Sequence, residues 1–189
     1  MILSNDRVQL EELSLKHFDL LLNVALEEQL WKVQLKNLTS KADYEEYFHQ
    51  ALKEATAGQS IPFAIFDKQK NKYAGSTRIA NIVKEHKRAE IGWTWIGTEF
   101  QGSGLNKTMK YEMLKYCFET MNLNRVELKT DEINTQSRNA ILSLGAKQEG
   151  IFRNHMVADS GRIRNTVYFS ILREEWPEIK KKLELKFKC

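Results

Sequence analysis

Polar and apolar residues alternate with two distinct periods along this chain. Residues 89–97 (A-E-I-G-W-T-W-I-G) set large apolar side chains against smaller or polar ones with period two, as in a half-buried strand. After a short glycine-bearing run, Leu105, Met109, Met113, Tyr116 and Cys117 recur at helical spacing, with Leu114, Phe118 and Met121 on an adjoining stripe. Carried along the chain, the same reading predicts strands over 8–13, 62–67, 73–83, 88–97, 125–130, 146–157 and 164–172. Helices are predicted over 15–30 with Ser14 as N-cap, over 41–57 between Ser40 and Gly58, and over 135–144. A last one covers 174–185, with Pro177 tolerated in its first turn. Asp43, three residues after Ser40, makes a weaker form of the capping box, and Asp159-Ser160-Gly161 supplies hairpin-turn chemistry. Strands and helices mixed with direct hairpins predict an α+β fold on a mixed sheet.

The strand-to-helix handover falls at Gln101-Gly102-Ser103-Gly104-Leu105-Asn106. Such a turn leaves backbone N–H groups unpaired at the positive end of a helix dipole, which suits a diphosphate. The plain alternative is a tight turn that needs positive φ and binds nothing. A P-loop needs glycine directly before the Lys107-Thr108 pair and another five residues earlier, and those places hold Asn106 and Gln101. That motif is not met.

The residue order around the loop resembles the signature of the GNAT superfamily of N-acetyltransferases. In that family a Gln or Arg, a Gly and a small residue at set spacing cradle the diphosphate of acetyl-CoA. Gln101, Gly104 and Asn106 hold the three places here, Asn106 replacing the usual small residue. A second segment, residues 134–146 (N-T-Q-S-R-N-A-I-L-S-L-G-A), is similar to the family's asparagine-led helix along the pantetheine arm. The likeness runs from about the first strand to the last and is closest to the branch acting on N-termini of ribosomal proteins. It implies a single N-acetyltransferase domain over 1–189 with a mostly antiparallel central sheet flanked by helices. The sheet is expected to splay between the strands that bracket the glycine-loop helix.

Composition narrows the class. A hydrophobic fraction of 42% and a charged fraction of 29% are those of an ordinary soluble globule. No apolar run reaches the roughly 18 residues of a membrane span, and the start lacks a signal-peptide pattern, so a cytoplasmic enzyme is expected. Cys117 and Cys189 make no disulfide framework, and the four histidines show no metal spacing, so no metal is expected. The net charge of +4 helps attract a polyanion such as CoA without implying a specific nucleic-acid partner. The lysine-rich end, 180–188, reads as a solvated helix face and tail.

The resemblance implies direct transfer from acetyl-CoA to an amine acceptor, which requires positioning, a proton acceptor and a thiolate partner. Glu90 is the candidate base, placed by strand alternation on a face with Gly92, Thr94 and Ile96, opposite Ile91, Trp93 and Trp95. A structural carboxylate is the competing reading. Ser137 is the candidate acid, since the superfamily's usual tyrosine place holds Ile141; its alternative is a serine satisfying first-turn backbone donors. Asn134 is expected to bind the pantetheine arm, to cap the following helix, or both. The backbone of Trp95 and Ile96 is expected to flank that arm. Gly102, Ser103, Leu105 and Lys107 complete the cofactor set. Two other classes stay open: a CoA-binding module without turnover, and a ribosome- or RNA-associated protein. The acceptor, a protein N-terminus or a small molecule, has no readable motif, and a homodimer is expected by analogy with relatives.

Overall fold

The computed structural model describes residues 1–187, with side chains to Leu185; the tail reading at Lys188 and the C-terminal Cys189 lie outside the described residues. In chain order the strands are β1 (Ile2–Ser4), β2 (Val8–Glu12), β3 (Ser60–Asp67), β4 (Lys72–Val83), β5 (Arg88–Ile96), β6 (Arg125–Asp131), β7 (Lys147–Val157) and β8 (Ile163–Leu172). The helices are α1 (Phe18–Ala25), α2 (Lys41–Thr56), α3 (Leu105–Lys115), α4 (Thr135–Ser143) and α5 (Trp176–Phe187). All eight strands form one sheet in the order β1-β2-β3-β4-β5-β6-β8-β7, and every neighbouring pair is antiparallel except β5 with β6.

Each sheet face has its own core. On one, α3, α4 and α5 bury Leu105, Met109, Met113, Ile141, Trp176 and Ile179 against Ala89, Ile91, Val126 and Phe169. On the other, Leu21, Ala25, Tyr44, Phe48 and Ala51 of α1 and α2 pack with Ala64 and Trp95. That second core draws no buried residue from β6, β7 or β8 among the described residues. Among the described residues no helix is long and apolar enough to cross a membrane.

Most predicted elements are present, with three differences. The short β1 adds a strand by pairing with β2. The capping box at Ser40 and Asp43 forms in both directions, at 3.2 and 2.9 Å. The helix expected over 15–30 is instead a 3-10 turn (Leu15–His17), α1, and a second 3-10 turn (Glu28–Leu30). Tertiary contacts break it: Glu27 turns extended and accepts from the Thr98 backbone N–H and hydroxyl, both at 2.8 Å. Trp31 Nε1 then donates to the freed Ala25 carbonyl at 2.8 Å.

The third difference is a bulge in β5. Ser76 pairs with Trp95 but Arg78 pairs with Gly92, so Trp93 and Thr94 stand opposite Thr77 alone, and Trp93 has φ 49°. The extra residue exchanges the faces downstream. Ile91 therefore shares its core with Ile96, whereas Trp95 lies in the core on the opposite face. The expected grouping of Glu90 with Thr94 and Ile96 is corrected accordingly: Glu90 shares its face with Trp93 and Trp95.

Candidate active site

Strands β5 and β6 run parallel but pair only at Arg88–Arg125, Ala89–Val126 and Glu90–Glu127. Beyond those pairs they no longer bond to each other, which opens a wedge in the middle of the sheet. At its mouth, Gly102 and Gly104 take φ of 70° and 84°, conformations that L side chains rarely adopt. Nothing lies within 4 Å of where a Cβ at either glycine would stand. Gly104 is the N-cap of α3 and gives no side-chain cap. The Leu105 N–H reaches Ser103 Oγ at 3.4 Å, and the next amides of α3 face an open approach.

The Gln101 side chain joins the two motif segments. Its Nε2 donates to the Ile96 carbonyl at 3.0 Å, and its Oε1 accepts from Gln136 of α4 at 3.4 Å. Because the Gly97 N–H bonds back to Ala74 of β4, strand alternation turns the Ile96 backbone toward the wedge. The Trp95 carbonyl points to β4 instead, 2.0 Å from where a Cβ on Gly75 would stand. Ser103 Oγ donates to the Phe100 carbonyl at 2.6 Å and accepts from Arg7 at 3.2 Å, which pins the loop. Leu105 is fully buried in the core, Lys107 is half-buried, and Asn106 Oδ1 is buried with no partner among the described residues.

Asn134 caps α4, its Oδ1 accepting from the Ser137 N–H at 2.9 Å, so the capping reading holds, and its Nδ2 has no partner among the described residues. Ser137 is half-buried, and its Oγ makes no hydrogen bond among the described residues. It is therefore not consumed by first-turn backbone donors.

Glu90, 7% exposed, sits where β5 and β6 begin to part. Its Oε2 accepts from Asn81 Nδ2 at 2.7 Å and from Lys129 Nζ at 2.8 Å. Its Oε1 has no partner among the described residues and lies 3.4 Å from where a Gly92 Cβ would stand. Burial pulls the Lys129 pKa down, but the Glu90 and Glu127 carboxylates and the nearby Tyr168 outweigh it and leave the pKa raised. Sequence reasoning missed Lys129, although 125–131 (R-V-E-L-K-T-D) alternates charged and apolar residues closely enough to mark a polar strand face.

On the α3 face, the bulge carries a second polar group. Lys110 Nζ donates to Thr94 Oγ1 at 2.6 Å and to Thr77 Oγ1 at 3.3 Å, and the two hydroxyls are 2.8 Å apart. Burial lowers the Lys110 pKa to about 7, against a weaker upward pull from Cys117. At the far edge the segment between α1 and α2 meets the β7–β8 turn. Asp159 N donates to the Leu35 carbonyl at 2.8 Å, and Asp159 Oδ2 accepts from the Asn37 N–H at 3.2 Å.

The family profile described as Acetyltransferase (GNAT) domain matches residues 7–147, most of this chain. The chain belongs to the GNAT acetyltransferase family. It is 33% identical over 119 residues to the uncharacterised N-acetyltransferase p20 of Bacillus licheniformis, covering 63% of this chain and 66% of that protein. Against YdaF of Bacillus subtilis, named as a candidate ribosomal N-acetyltransferase, it is 32% identical over 102 residues, 54% of this chain and 55% of the relative. Both matches span less than two thirds of the relative's own length. The crystal structure of a GCN5-related N-acetyltransferase from Brucella melitensis superposes with a TM-score of 0.89 and 28% identity, covering 98% of this chain and 84% of that one. In this GNAT domain the expected sheet, its flanking helices and its parting at β5 and β6 are all present. The structure brings the 101–106 loop and the head of α4 together through Gln101 and Gln136, with Glu90 set deeper, at the root of the wedge.

Proposed function

We propose that this GNAT-family chain transfers the acetyl group of acetyl-CoA to a primary amine, with a protein N-terminal α-amine as the acceptor class. Transfer is by direct attack in a ternary complex. The observation that supports it most is the wedge between β5 and β6 with the glycine-loop start of α3 at its mouth, where only the Leu105 N–H is drawn to a side chain, Ser103 Oγ at 3.4 Å. Of the amides from Gln101 to Lys107, the Gln101 N–H bonds to the Thr98 carbonyl and the Leu105 N–H to Ser103 Oγ, while those of Gly102, Ser103, Gly104, Asn106 and Lys107 suit a diphosphate that the open space at the glycines admits to backbone contact. Asn134 Nδ2 and the wedge-facing Ile96 backbone suit the amide groups of a pantetheine arm, with Trp95 walling its far side. Acetyl-CoA supplies a thioester, so the protein's task is placement and proton handling.

Glu90 Oε1 is assigned as the acceptor of the ammonium proton, with Oε2 held by Asn81 and Lys129 so that the carboxylate keeps one orientation. Ser137 Oγ, free of other duty, is assigned to the departing thiolate. The name of the Bacillus subtilis relative supports an N-terminal acceptor.

Gly104→Val puts a β-branched residue at φ 84°, on an exposed loop where no protein atom obstructs it. Acetyl-CoA affinity by calorimetry is expected to fall more than about tenfold, or 1.4 kcal/mol. Unchanged affinity in the folded variant would overturn the loop assignment. A CoA sensor, by contrast, would bind acetyl-CoA and show no turnover with any amine.

A further inference from the structure

Arg164 lies on β8, two places from Thr166 and four from Tyr168, on the sheet face that also carries Lys129 and Glu90. Only 7% of it is exposed. Its Nε is buried, and among the described residues its guanidinium makes no hydrogen bond and no ion pair. Thr166, 1% exposed, has an Oγ1 that is likewise buried and unpartnered among the described residues. Two adjacent polar side chains are therefore left over on one strand face.

The charges around them are otherwise matched. Asp131, cross-strand from Thr166, is bound by Arg162 at 2.5 Å. Glu90 is bound by Lys129 at 2.8 Å, and Glu127 by Arg125 at 3.1 Å. Arg164 is the cation among these that makes no direct ion pair with a described residue; the Asp131 and Glu90 carboxylates act on it only through space. Burial still outweighs those two carboxylates and lowers the Arg164 pKa, so the guanidinium lacks a hydrogen-bonded counter-ion, and its fork fits a carboxylate with two parallel hydrogen bonds.

We propose that Arg164 and Thr166 form a carboxylate-recognising subsite, so that the amine acetylated beside Glu90 belongs to a molecule carrying a carboxylate rather than to a polyamine. The acceptor's identity as an amine rests on the acetyltransferase reading above; the anion preference rests on β8 itself. A carboxylate can come from the α-carboxyl of an amino acid or from an acidic side chain near a peptide N-terminus. Both present the same fork partner.

The test is calorimetry on the CoA-saturated protein, with product-like probes. One arm compares N-acetylalanine with its carboxamide, and the other compares an N-acetylated Ser-Asp amide with its Ser-Asn counterpart. In at least one arm the carboxylate is expected to bind about tenfold more tightly or better. Arg164→Met should abolish that preference while leaving CoA affinity and melting temperature unchanged or higher, since it removes a buried guanidinium that has no hydrogen-bond partner among the described residues. Arg164→Lys should retain part of the preference, because a point charge lacks the fork. No carboxylate preference in either arm, or a preference that survives Arg164→Met, overturns the proposal, as does a large loss of melting temperature in both variants. Binding needs no turnover, so a carboxylate preference in a protein that acetylates no amine would support the subsite and sink the transferase reading separately.

Discussion

At Glu90 a single carboxylate divides its labour between two oxygens. Oε2 is occupied by Asn81 and Lys129, while Oε1 beside Gly92 has no partner among the described residues and is the oxygen proposed to take the proton. Glu90→Gln is expected to leave acetyl-CoA affinity nearly intact while lowering kcat about 10²–10⁴-fold, the usual range for a lost general base. Steady-state rates at pH 6–9 with a verified acceptor check this; a variant as fast as the parent across that window would shift amine deprotonation to solvent. Ser137→Ala is expected to cost less, because water can protonate a thiolate, and an effect confined to the KM for acetyl-CoA would make Ser137 a binding group. The sequence offers both as candidates, Glu90 through strand alternation whose face grouping the bulge revises and Ser137 through its place in the 134–146 segment. Lys129, Asn81 and Arg164 were not legible there, because what marks them is a partner, or the want of one, on another strand.

Among the elements, strands read most clearly, since period-two patterning survives wherever one face is buried. The helix over 15–30 failed as a single element because its break is set by the distant Thr98, which local propensity does not register. The β5 bulge was equally hidden. Tryptophan is an unexpected residue at φ 49°, and the alternation of 89–97 continues through it without a visible fault. The Lys110–Thr77–Thr94 network ties that bulge to α3 and has a pH signature. The unfolded lysine titrates near 10.5 and the folded one at about 7, so between these values the unfolded state holds more protons. Stability from this group therefore rises with pH across that window, and the full penalty applies below it. Lys110→Met is expected to raise unfolding stability by about 2 kcal/mol at pH 6, the desolvation cost less two lost hydrogen bonds. The gain should shrink toward pH 10; urea titrations showing the same gain at both pH values would refute the buried-amine account.

For the whole molecule, the sheet ends in β7, an edge strand of 11 residues exposed along most of its length. Phe152, Met156 and Val157 on it, and Ile163 on β8, are 41–70% exposed. A long apolar edge invites pairing with another strand. A homodimer joined there is the expected state, and Val157→Lys is expected to weaken it. Light scattering at micromolar concentration checks both, and a monomeric parent would overturn the expectation. Nothing in the sequence pattern marked this edge, because exposure depends on which strand lies outermost, and β8 crosses between β6 and β7.

The bonds that Asp159 makes to Leu35 and Asn37 fasten the turn after β7 to the crossing between α1 and α2. The two stretches come from opposite ends of the chain. Neither can be lengthened or redrawn alone without disturbing the other. Over a lineage, a change in either would then be inherited as a matched pair of alterations, one before β3 and one after β7, with the strands between them left untouched.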